Sequence, residues 1–180
     1  MVIGPEMKRI AVVGTSCSGK TTFAGRLSQI LQIPHIELDR LYWGPNWTIR
    51  NDFKEKTLLH LEQENWIVDG NYQKMREFVF ARATTVIWLN YPFPLVFTRA
   101  LKRTISRIIT GEIIFSGNRE TIRTTFFSAD SILWWVIKSY PRMKKTYSAI
   151  YSSDRISHLY MLELKHPKMA EKLLNKFKGY

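Results

Sequence analysis

The sequence is poor in cysteine and has no long hydrophobic segment, and each absence excludes a class of protein. A single cysteine among 180 residues cannot form an internal disulfide or a zinc cluster. The apolar run at residues 132–137 is far shorter than the roughly 18 residues that a membrane-spanning helix needs. Glu6, Lys8 and Arg9 interrupt the N-terminal region, which argues against a signal peptide. We therefore expect a cytoplasmic protein.

Acidic residues are scarce relative to basic ones. The chain has 27 lysines and arginines against 15 aspartates and glutamates, which gives a formal net charge of +12. The excess is concentrated between Arg99 and Lys145, where ten basic residues accompany three acidic ones. Nucleic acid, an acidic membrane surface and phosphate-bearing small molecules are the partners that fit such a charge.

Short apolar segments alternate with segments of helical periodicity. The predicted strands are residues 10–13, 35–38, 66–68, 85–89 and 158–164. The predicted helices are residues 20–31, 53–64, a short one around 75–79, a long one from about 92 to 110, and 167–177. This alternation is typical of an α/β fold with a parallel sheet. With 45% hydrophobic residues, one domain over residues 1–180 can bury its own core.

A contiguous motif predicts a phosphate-binding loop. Residues 14–21 match the pattern G-x-x-x-x-G-K-[ST] and lie between the first predicted strand and the first predicted helix. Gly14 and Gly19 allow the backbone N–H groups to turn inward towards phosphate oxygens. Lys20 is expected to reach the β- and γ-phosphates, and the Thr21 hydroxyl to ligate Mg²⁺. The residues predicted to bind ATP in this segment are Gly14, Ser16, Ser18, Gly19, Lys20, Thr21 and Thr22.

Two aspartates end predicted strands at the edge of the sheet where open α/β proteins bind ligands. Asp69 follows the third strand, and it is expected to hold Mg²⁺ together with Thr21, although Asp-Gly is also a turn signal. Asp39 follows the second strand. It is a candidate for orienting an acceptor hydroxyl, accepting its proton or sitting near the metal, and a helix cap or a salt bridge with Arg40 is the alternative.

Arginines recur every four residues on the long helix. Arg99, Arg103 and Arg107 share one helix face, and Arg119 and Arg123 follow beyond it. Phosphoryl transfer needs fixed positive charge around the migrating group, so Arg99 and Arg103 are predicted to bind the nucleotide and Arg119 to be catalytic. A solvated basic face is the alternative.

The same residues resemble those of adenylate kinase and its relatives. The likeness rests on the phosphate-binding loop, the Asp69-Gly70 pair and the helix that follows Pro92 with two arginines four residues apart. Residues 35–39 (HIELD), 43–47 (WGPNW), 69–72 (DGNY) and 117–120 (GNRE) more closely resemble the bacterial group labelled "DNA topology modulation protein". This resemblance implies a P-loop NTPase of three α/β/α layers with a five-stranded parallel sheet. It also implies a core of about 7–111 and 152–180 and a helical lid-like insertion at about 112–151.

Two departures from adenylate kinases bear on the acceptor. Asn71-Tyr72 stands where those enzymes carry Phe-Pro-Arg, and the segment between the second and third strands is short. Short acceptor segments and an aspartate after the second strand also occur in the shikimate- and gluconate-kinase-like branch. Asp39 acting as a base suits a hydroxyl acceptor, which a phosphate acceptor would not need.

Aromatic residues leave two questions for the structure. Tyr42, Trp43 and Trp47 are expected to pack in a loop or the core, with stacking on an acceptor ring as the alternative. Trp134 and Trp135 are expected in a core or an interface and not at a ligand.

The function predicted from the sequence is that of a small-molecule kinase. It would use ATP and Mg²⁺ and transfer the γ-phosphoryl group to a nucleotide or a hydroxyl metabolite. The alternative is a nucleic-acid-associated ATPase or a regulator, which the charge suggests. No helix-turn-helix, zinc-finger or RRM signature supports nucleic acid, so a small-molecule acceptor is the favoured partner and a membrane is not expected.

Overall fold

Five parallel strands form the central sheet of the computed structural model, which describes residues 7–119, 131–153 and 158–178. The strands of this sheet are β1 (Arg9–Gly14), β2 (His35–Glu37), β3 (Trp66–Asp69), β4 (Thr85–Leu89) and β7 (Tyr160–Leu164). Two short strands, β5 (Ile113–Ile114) and β6 (Asn118–Arg119), lie outside it. The sheet order is β2-β3-β1-β4-β7, while β5 and β6 pair antiparallel in a separate hairpin.

Helices cover both faces of the sheet. They are α1 (Lys20–Leu31), α2 (Leu38–Tyr42), α3 (Phe53–Leu61), α4 (Gln73–Arg82), α5 (Phe93–Thr110), α6 (Ile132–Tyr151) and α7 (Pro167–Lys178). None of these described helices is long and apolar enough to cross a membrane.

The alternation of side chains along β1 explains the three layers. Ile10 and Val12 point into one buried cluster, which receives side chains of α1, α5 and α7. Ala11 and Val13 point into the other cluster, which receives side chains of α2, α3 and α4. A strand with apolar residues on both faces requires such a double covering. The predicted α/β fold with a five-stranded parallel sheet and three layers is confirmed.

The topology creates a crevice at the carboxyl ends of β1 and β3. β1 lies between β3 and β4. The chain leaves β1 towards β2 on one side, whereas it leaves β3 and crosses to β4 on the other side. Connections that diverge in this way open a cleft above the strand ends, where open α/β sheets bind ligands. Gly14 ends β1 and Asp69 ends β3, so the crevice lies between these two residues.

The structure corrects some predicted boundaries. Leu38 begins α2 and does not continue β2, and the helix predicted at residues 53–64 ends at Leu61. The loop between α2 and α3 contains a 3-10 turn, Pro45–Trp47. The strand predicted at 158–164 begins at Tyr160. Short helices and loops depend on tertiary contacts more than on periodicity, so their ends were the hardest to predict.

The segment predicted as a lid-like insertion has two described parts. The first is the β5–β6 hairpin, and the second is α6. Val136 and Tyr147 of α6 are buried in the two core clusters, so this helix packs against the body of the domain. Arg123 lies outside the described residues.

Candidate active site

The loop after β1 has the backbone of a phosphate cradle. Gly14 has φ of 151° and Gly19 has φ of 95°, a region that favours glycine. A Cβ atom on Gly14 would lie 2.7 Å from the carbonyl oxygen of Leu89, so no side chain fits there. Gly19 immediately precedes α1, whose N-terminus presents free N–H groups to the crevice.

Lys20 lies across this loop. Its Nζ donates to the carbonyl oxygen of Thr15 at 3.0 Å, and it forms no ion pair with any residue that the structure describes. Burial lowers the pKa of Lys20, an effect that Asp69 and Asp39 partly oppose. The loop therefore holds a desolvated cation that lacks an anionic partner within the described part of the chain.

Asp69 is fixed at the floor of the crevice by two side chains. Thr21 Oγ1 donates to its Oδ2 at 2.7 Å, and His35 Nε2 donates to its Oδ1 at 2.8 Å. Asp69 is buried. A hydroxyl beside a buried carboxylate fits Mg²⁺, which binds through one or two protein oxygens and completes its shell with waters and phosphates. Accordingly, the described residues contain no cluster of three or more metal-binding side chains.

Several buried polar atoms at the loop lack a partner among the described residues. They are Thr15 Oγ1, Ser18 Oγ and Arg103 Nε. Buried polar groups are almost always hydrogen-bonded, because an unpaired one costs roughly 1–3 kcal/mol. Such atoms around an anion-binding loop fit a phosphate ligand.

The arginine row on α5 divides between two roles. Arg99 donates to the carbonyl oxygen of Ser18 at 2.9 Å and lies over the ring of Tyr91. Arg103 is close enough to Lys20 to lower its pKa. Arg107, the third member, instead lies 3.4 Å from Glu112. The structure thus brings Arg99 and Arg103 to the loop and directs Arg107 elsewhere.

A cavity of about 300 Å³ opens beside the loop. It is lined by Ser18, Gly19, Thr22, Phe23, Arg26, Tyr91, Arg99, Pro167, Ala170, Glu171 and Leu174. Arg26 and Glu171 form an ion pair at its rim, in which Arg26 Nη2 lies 2.8 Å from a Glu171 oxygen. The apolar walls suit a flat ring system adjoining the phosphates.

Asp39 lies on the other side of the crevice, in the first turn of α2. Tyr72 O–H donates to its Oδ1 at 2.6 Å. Burial, and then the charge of Asp39, raise the pKa of Tyr72 far above its usual range, so the phenol remains a donor. Arg40 pairs with Glu37 and not with Asp39. The carboxylate is therefore oriented by a neutral partner.

Aromatic rings pack around Tyr72, the partner of this carboxylate. Tyr42 packs against Tyr72 with ring centroids 4.5 Å apart and against Phe53 at 5.0 Å. Trp43 and Trp47 meet edge to face at 5.5 Å. These contacts make the rings a packed cluster, as expected, and they fix the rotamer of Tyr72.

The β5–β6 hairpin docks on the loop before α3. Asn118 accepts from the Trp47 N–H at 2.9 Å and donates to the Gly44 carbonyl at 2.9 Å. Ser116 donates to the Trp43 carbonyl at 2.7 Å. Arg119 follows Asn118 in the chain, and its backbone pairs with Ile113. The hairpin thus brings the backbone of Arg119 close to the Asp39 side of the crevice.

The predicted site residues fall into three groups. The loop residues Gly14, Ser16, Ser18, Gly19, Lys20, Thr21 and Thr22 lie together with Arg99, Arg103 and Asp69. Asp39 stands across the crevice, close enough to raise the pKa of Lys20. For Arg119 the structure describes the backbone alone. The roles of all these residues remain predictions.

Sequence reasoning missed four side chains that organise the site. His35, Asn71, Tyr72 and Trp135 each contact a predicted site residue. Asn71 and Tyr72 follow the Asp69-Gly70 pair, and their polar atoms next to a functional turn were the available signal. Nothing in the sequence pointed to His35 or Trp135.

Asn71 is expected to be essential for the shape of the loop. Its side-chain amide donates to the Gly14 carbonyl and accepts from the Gly14 N–H at 3.4 Å and from Tyr147 O–H at 3.0 Å. We expect Asn71→Ala to reduce the free energy of unfolding by about 1–3 kcal/mol, because it leaves these groups unpaired. Urea unfolding measures the loss. The exposed Asn175→Ala is the matched control, and an equal effect in both variants would contradict this role.

Comparison with known proteins finds fold relatives alone. No family model and no curated protein matches the sequence. Among solved structures, the chain is similar to shikimate kinase from Bacteroides thetaiotaomicron, with 16% identity, a TM-score of 0.54, and coverage of 96% of this chain and 97% of that one.

Two further structures have similar values. A gluconokinase from Sinorhizobium meliloti 1021 shares 15% identity with a TM-score of 0.52, over 96% of this chain and 90% of that one. A sugar kinase from Janibacter sp. HTCC2649 shares 15% identity with a TM-score of 0.52, over 94% and 91%. At this identity the likeness concerns the fold, and the chain shares the three-layer α/β/α fold of these three structures.

Proposed function

We propose that this protein is a kinase that transfers the γ-phosphoryl group of ATP, with Mg²⁺, to a hydroxyl group of a small molecule. The observation that carries the proposal is the meeting, in one crevice, of the Lys20 loop, the Thr21–Asp69 pair and the oriented carboxylate of Asp39. The fold likeness to shikimate kinase, gluconokinase and a sugar kinase supports it.

The chain supplies what phosphoryl transfer needs. The loop N–H groups and Lys20 bind the phosphates, while Arg99 and Arg103 add positive charge. Thr21 and Asp69 would hold Mg²⁺, which supplies charge neutralisation when bound. Asp39 would accept the acceptor's proton as the acceptor oxygen bonds to the γ-phosphorus and the bond to the β-phosphate oxygen breaks, leaving ADP. We further propose that Arg119 stabilises the transferring group.

A hydroxyl acceptor fits Asp39 better than a phosphate does. A carboxylate repels an anionic acceptor, whereas it accepts a hydrogen bond from a hydroxyl. Tyr72 donates to Oδ1 of Asp39, and no side chain that the structure describes donates to the other oxygen, which can make this contact. Nucleoside monophosphates are therefore the less suitable class.

The finer predictions from the sequence remain part of this proposal. They are membership of the "DNA topology modulation protein" group, a cytoplasmic location, and a lid-like insertion at about 112–151. The four short segments that carry the group resemblance include Asp39, Trp43 and Asp69, which lie in or beside the crevice. The charge of +12 keeps a nucleic-acid-stimulated ATPase as the second candidate.

A coupled assay of ADP release from Mg-ATP tests the proposal. The panel contains sugars and polyols, sugar acids, nucleoside monophosphates and duplex DNA. We expect a hydroxyl compound to raise turnover at least tenfold above slow hydrolysis. Stimulation by DNA alone, falling steeply with salt, would favour the second candidate, and no stimulation by any compound would contradict a kinase.

A further inference from the structure

Helix α6 places three hydrogen-bond donors on the crevice. Trp135 Nε1 donates to Ser16 Oγ at 3.2 Å, Tyr140 O–H to the Tyr91 carbonyl at 3.1 Å, and Tyr147 O–H to Asn71 at 3.0 Å. Their partners follow β1, β4 and β3, so the helix crosses the carboxyl edge of the sheet. Helix α6 is therefore a structural part of the nucleotide site.

The phosphate-binding loop has two distinguishable ends. Ser18 and Gly19 line the 300 Å³ cavity that suits a ring system. Lys20 Nζ lies at the opposite end, against the Thr15 carbonyl. Because the lysine of such a loop reaches the β- and γ-phosphates, the Thr15–Ser16 end receives the terminal phosphate. Trp135 contacts this end.

Trp135 is exposed and yet fixed in place. Trp135 is 49% exposed and its neighbour Trp134 is 47% exposed. Neither lies in the core, which was one of the two places, a core or an interface, that the sequence suggested. The next residue, Val136, is fully buried and anchors the helix. The guanidinium of Arg142 lies 5.5 Å from the Trp135 ring. An indole N–H and a cation thus stand together at the mouth of the loop.

We propose that Trp135 is a further ATP-binding residue whose indole N–H donates to an oxygen of the terminal phosphate. The indole is a donor only, and its acceptor in the structure is the neutral Ser16 hydroxyl. A phosphate oxygen is a charged and stronger acceptor, so the indole N–H should donate to a bound phosphate in preference to the Ser16 hydroxyl. Arg142 adds positive charge beside it. This inference rests on the ATP site of the proposed function and not on the acceptor.

The two adjacent tryptophans provide a matched experiment. Calorimetry measures the affinity for two nucleotides, each in the presence of Mg²⁺. One is AMP-PNP, a nonhydrolysable ATP analogue, and the other is ADP, which lacks the terminal phosphate. We expect Trp135→Phe to weaken AMP-PNP binding about tenfold, the scale of one charged hydrogen bond partly offset by the Ser16 bond. ADP binding should change less than twofold. The control is Trp134→Phe, which should change neither affinity. The Lys138 ammonium lies over the Trp134 ring, and among the described residues Trp134 makes no hydrogen bond to the loop.

A second measurement uses the unmodified protein. Indole ¹⁵N labelling gives one N–H signal for each of the six tryptophans. The Trp135 signal, which is the one missing from Trp135→Phe and retained in Trp134→Phe, should shift with AMP-PNP and not with ADP. Three results would overturn the inference while leaving ATP binding intact. They are equally weakened binding of both nucleotides in Trp135→Phe, unchanged binding in that variant, and the absence of an indole shift specific to AMP-PNP. Absence of any AMP-PNP binding to the wild type would instead overturn the proposed function and this inference with it.

Discussion

Lys20→Met should abolish ATP turnover, with a loss of at least about 10²–10³-fold in kcat. Methionine keeps an unbranched apolar side chain, one atom shorter than that of lysine, and removes the charged amine. The Nζ of Lys20 lies at the Thr15 carbonyl without an anionic partner among the described residues, so a phosphate is the group that would neutralise it. ADP release from Mg-ATP, with and without the best acceptor, measures the loss.

The same variant should be more stable than the wild type in the absence of nucleotide. Burial lowers the pKa of Lys20 from 10.5, so between the lowered value and 10.5 the unfolded chain binds more protons than the folded one. The free energy of unfolding of the wild type therefore rises with pH through that window. We expect the advantage of Lys20→Met to be largest at neutral pH and to shrink as the pH approaches 10.5. Urea unfolding at several pH values measures it.

An exposed lysine on α7 provides the control for both effects. Lys172→Met removes an equal charge from an exposed position that does not line the cavity beside the loop, and it should leave turnover and the pH dependence of stability unchanged. Turnover that survives in Lys20→Met would contradict the assignment of the loop as the phosphate site. Gain of stability with loss of activity is the pattern expected where a protein retains a destabilising group for its function.

The parts of this site that were predictable from sequence are those that are contiguous or that end strands. The cradle needs its glycines, Lys20 and Thr21 within eight residues, because one turn and one helix start must enclose one phosphate tail. Asp69 was identifiable because it ends an apolar strand of a parallel sheet, and Asp39 because it follows shortly after another. Local chemistry and strand order sufficed for these residues.

The contacts between distant residues were not predictable in the same way. Trp135 and Ser16 are 119 residues apart, and Asn71 and Gly14 are 57 apart. The first pair depends on where α6 crosses the sheet and the second on the pairing of β3 with β1, and no local pattern determines either. Arg107 illustrates the same limit, since it shares the spacing of Arg99 and Arg103 but lies beside Glu112. Periodicity assigned these arginines to one face without distinguishing their partners.

Asp39→Asn is the variant that separates a hydroxyl acceptor from a phosphate acceptor. Asparagine has the same shape, and its side-chain oxygen still accepts the hydrogen bond from Tyr72 O–H. The change therefore removes the charge and the ability to accept a proton while preserving the local structure. We expect phosphoryl transfer to a hydroxyl acceptor to fall about 10²–10⁴-fold, the usual contribution of a general base. Coupled ADP release at saturating Mg-ATP measures the decrease.

Asp52→Asn is the matched control in the same segment of the chain. Asp52 precedes α3 and pairs with Arg50 and Lys56. Asparagine has the same shape and removes only the charge of these partly exposed ion pairs, so this variant should lose a little stability and no transfer activity. AMP-PNP affinity should remain within twofold of wild type in both variants, because neither aspartate belongs to the loop.

The outcome for Asp39→Asn decides whether Asp39 acts as a base. A large loss of transfer with unchanged nucleotide affinity would mean that Asp39 accepts the proton of the acceptor hydroxyl. Retention of transfer within about threefold would mean that no proton needs to be removed by this carboxylate, as with an acceptor that is already an anion. Since the carboxylate would repel such an anion, the variant should then bind the acceptor more tightly, with a lower KM. The KM and kcat values of one variant thus distinguish the two acceptor chemistries.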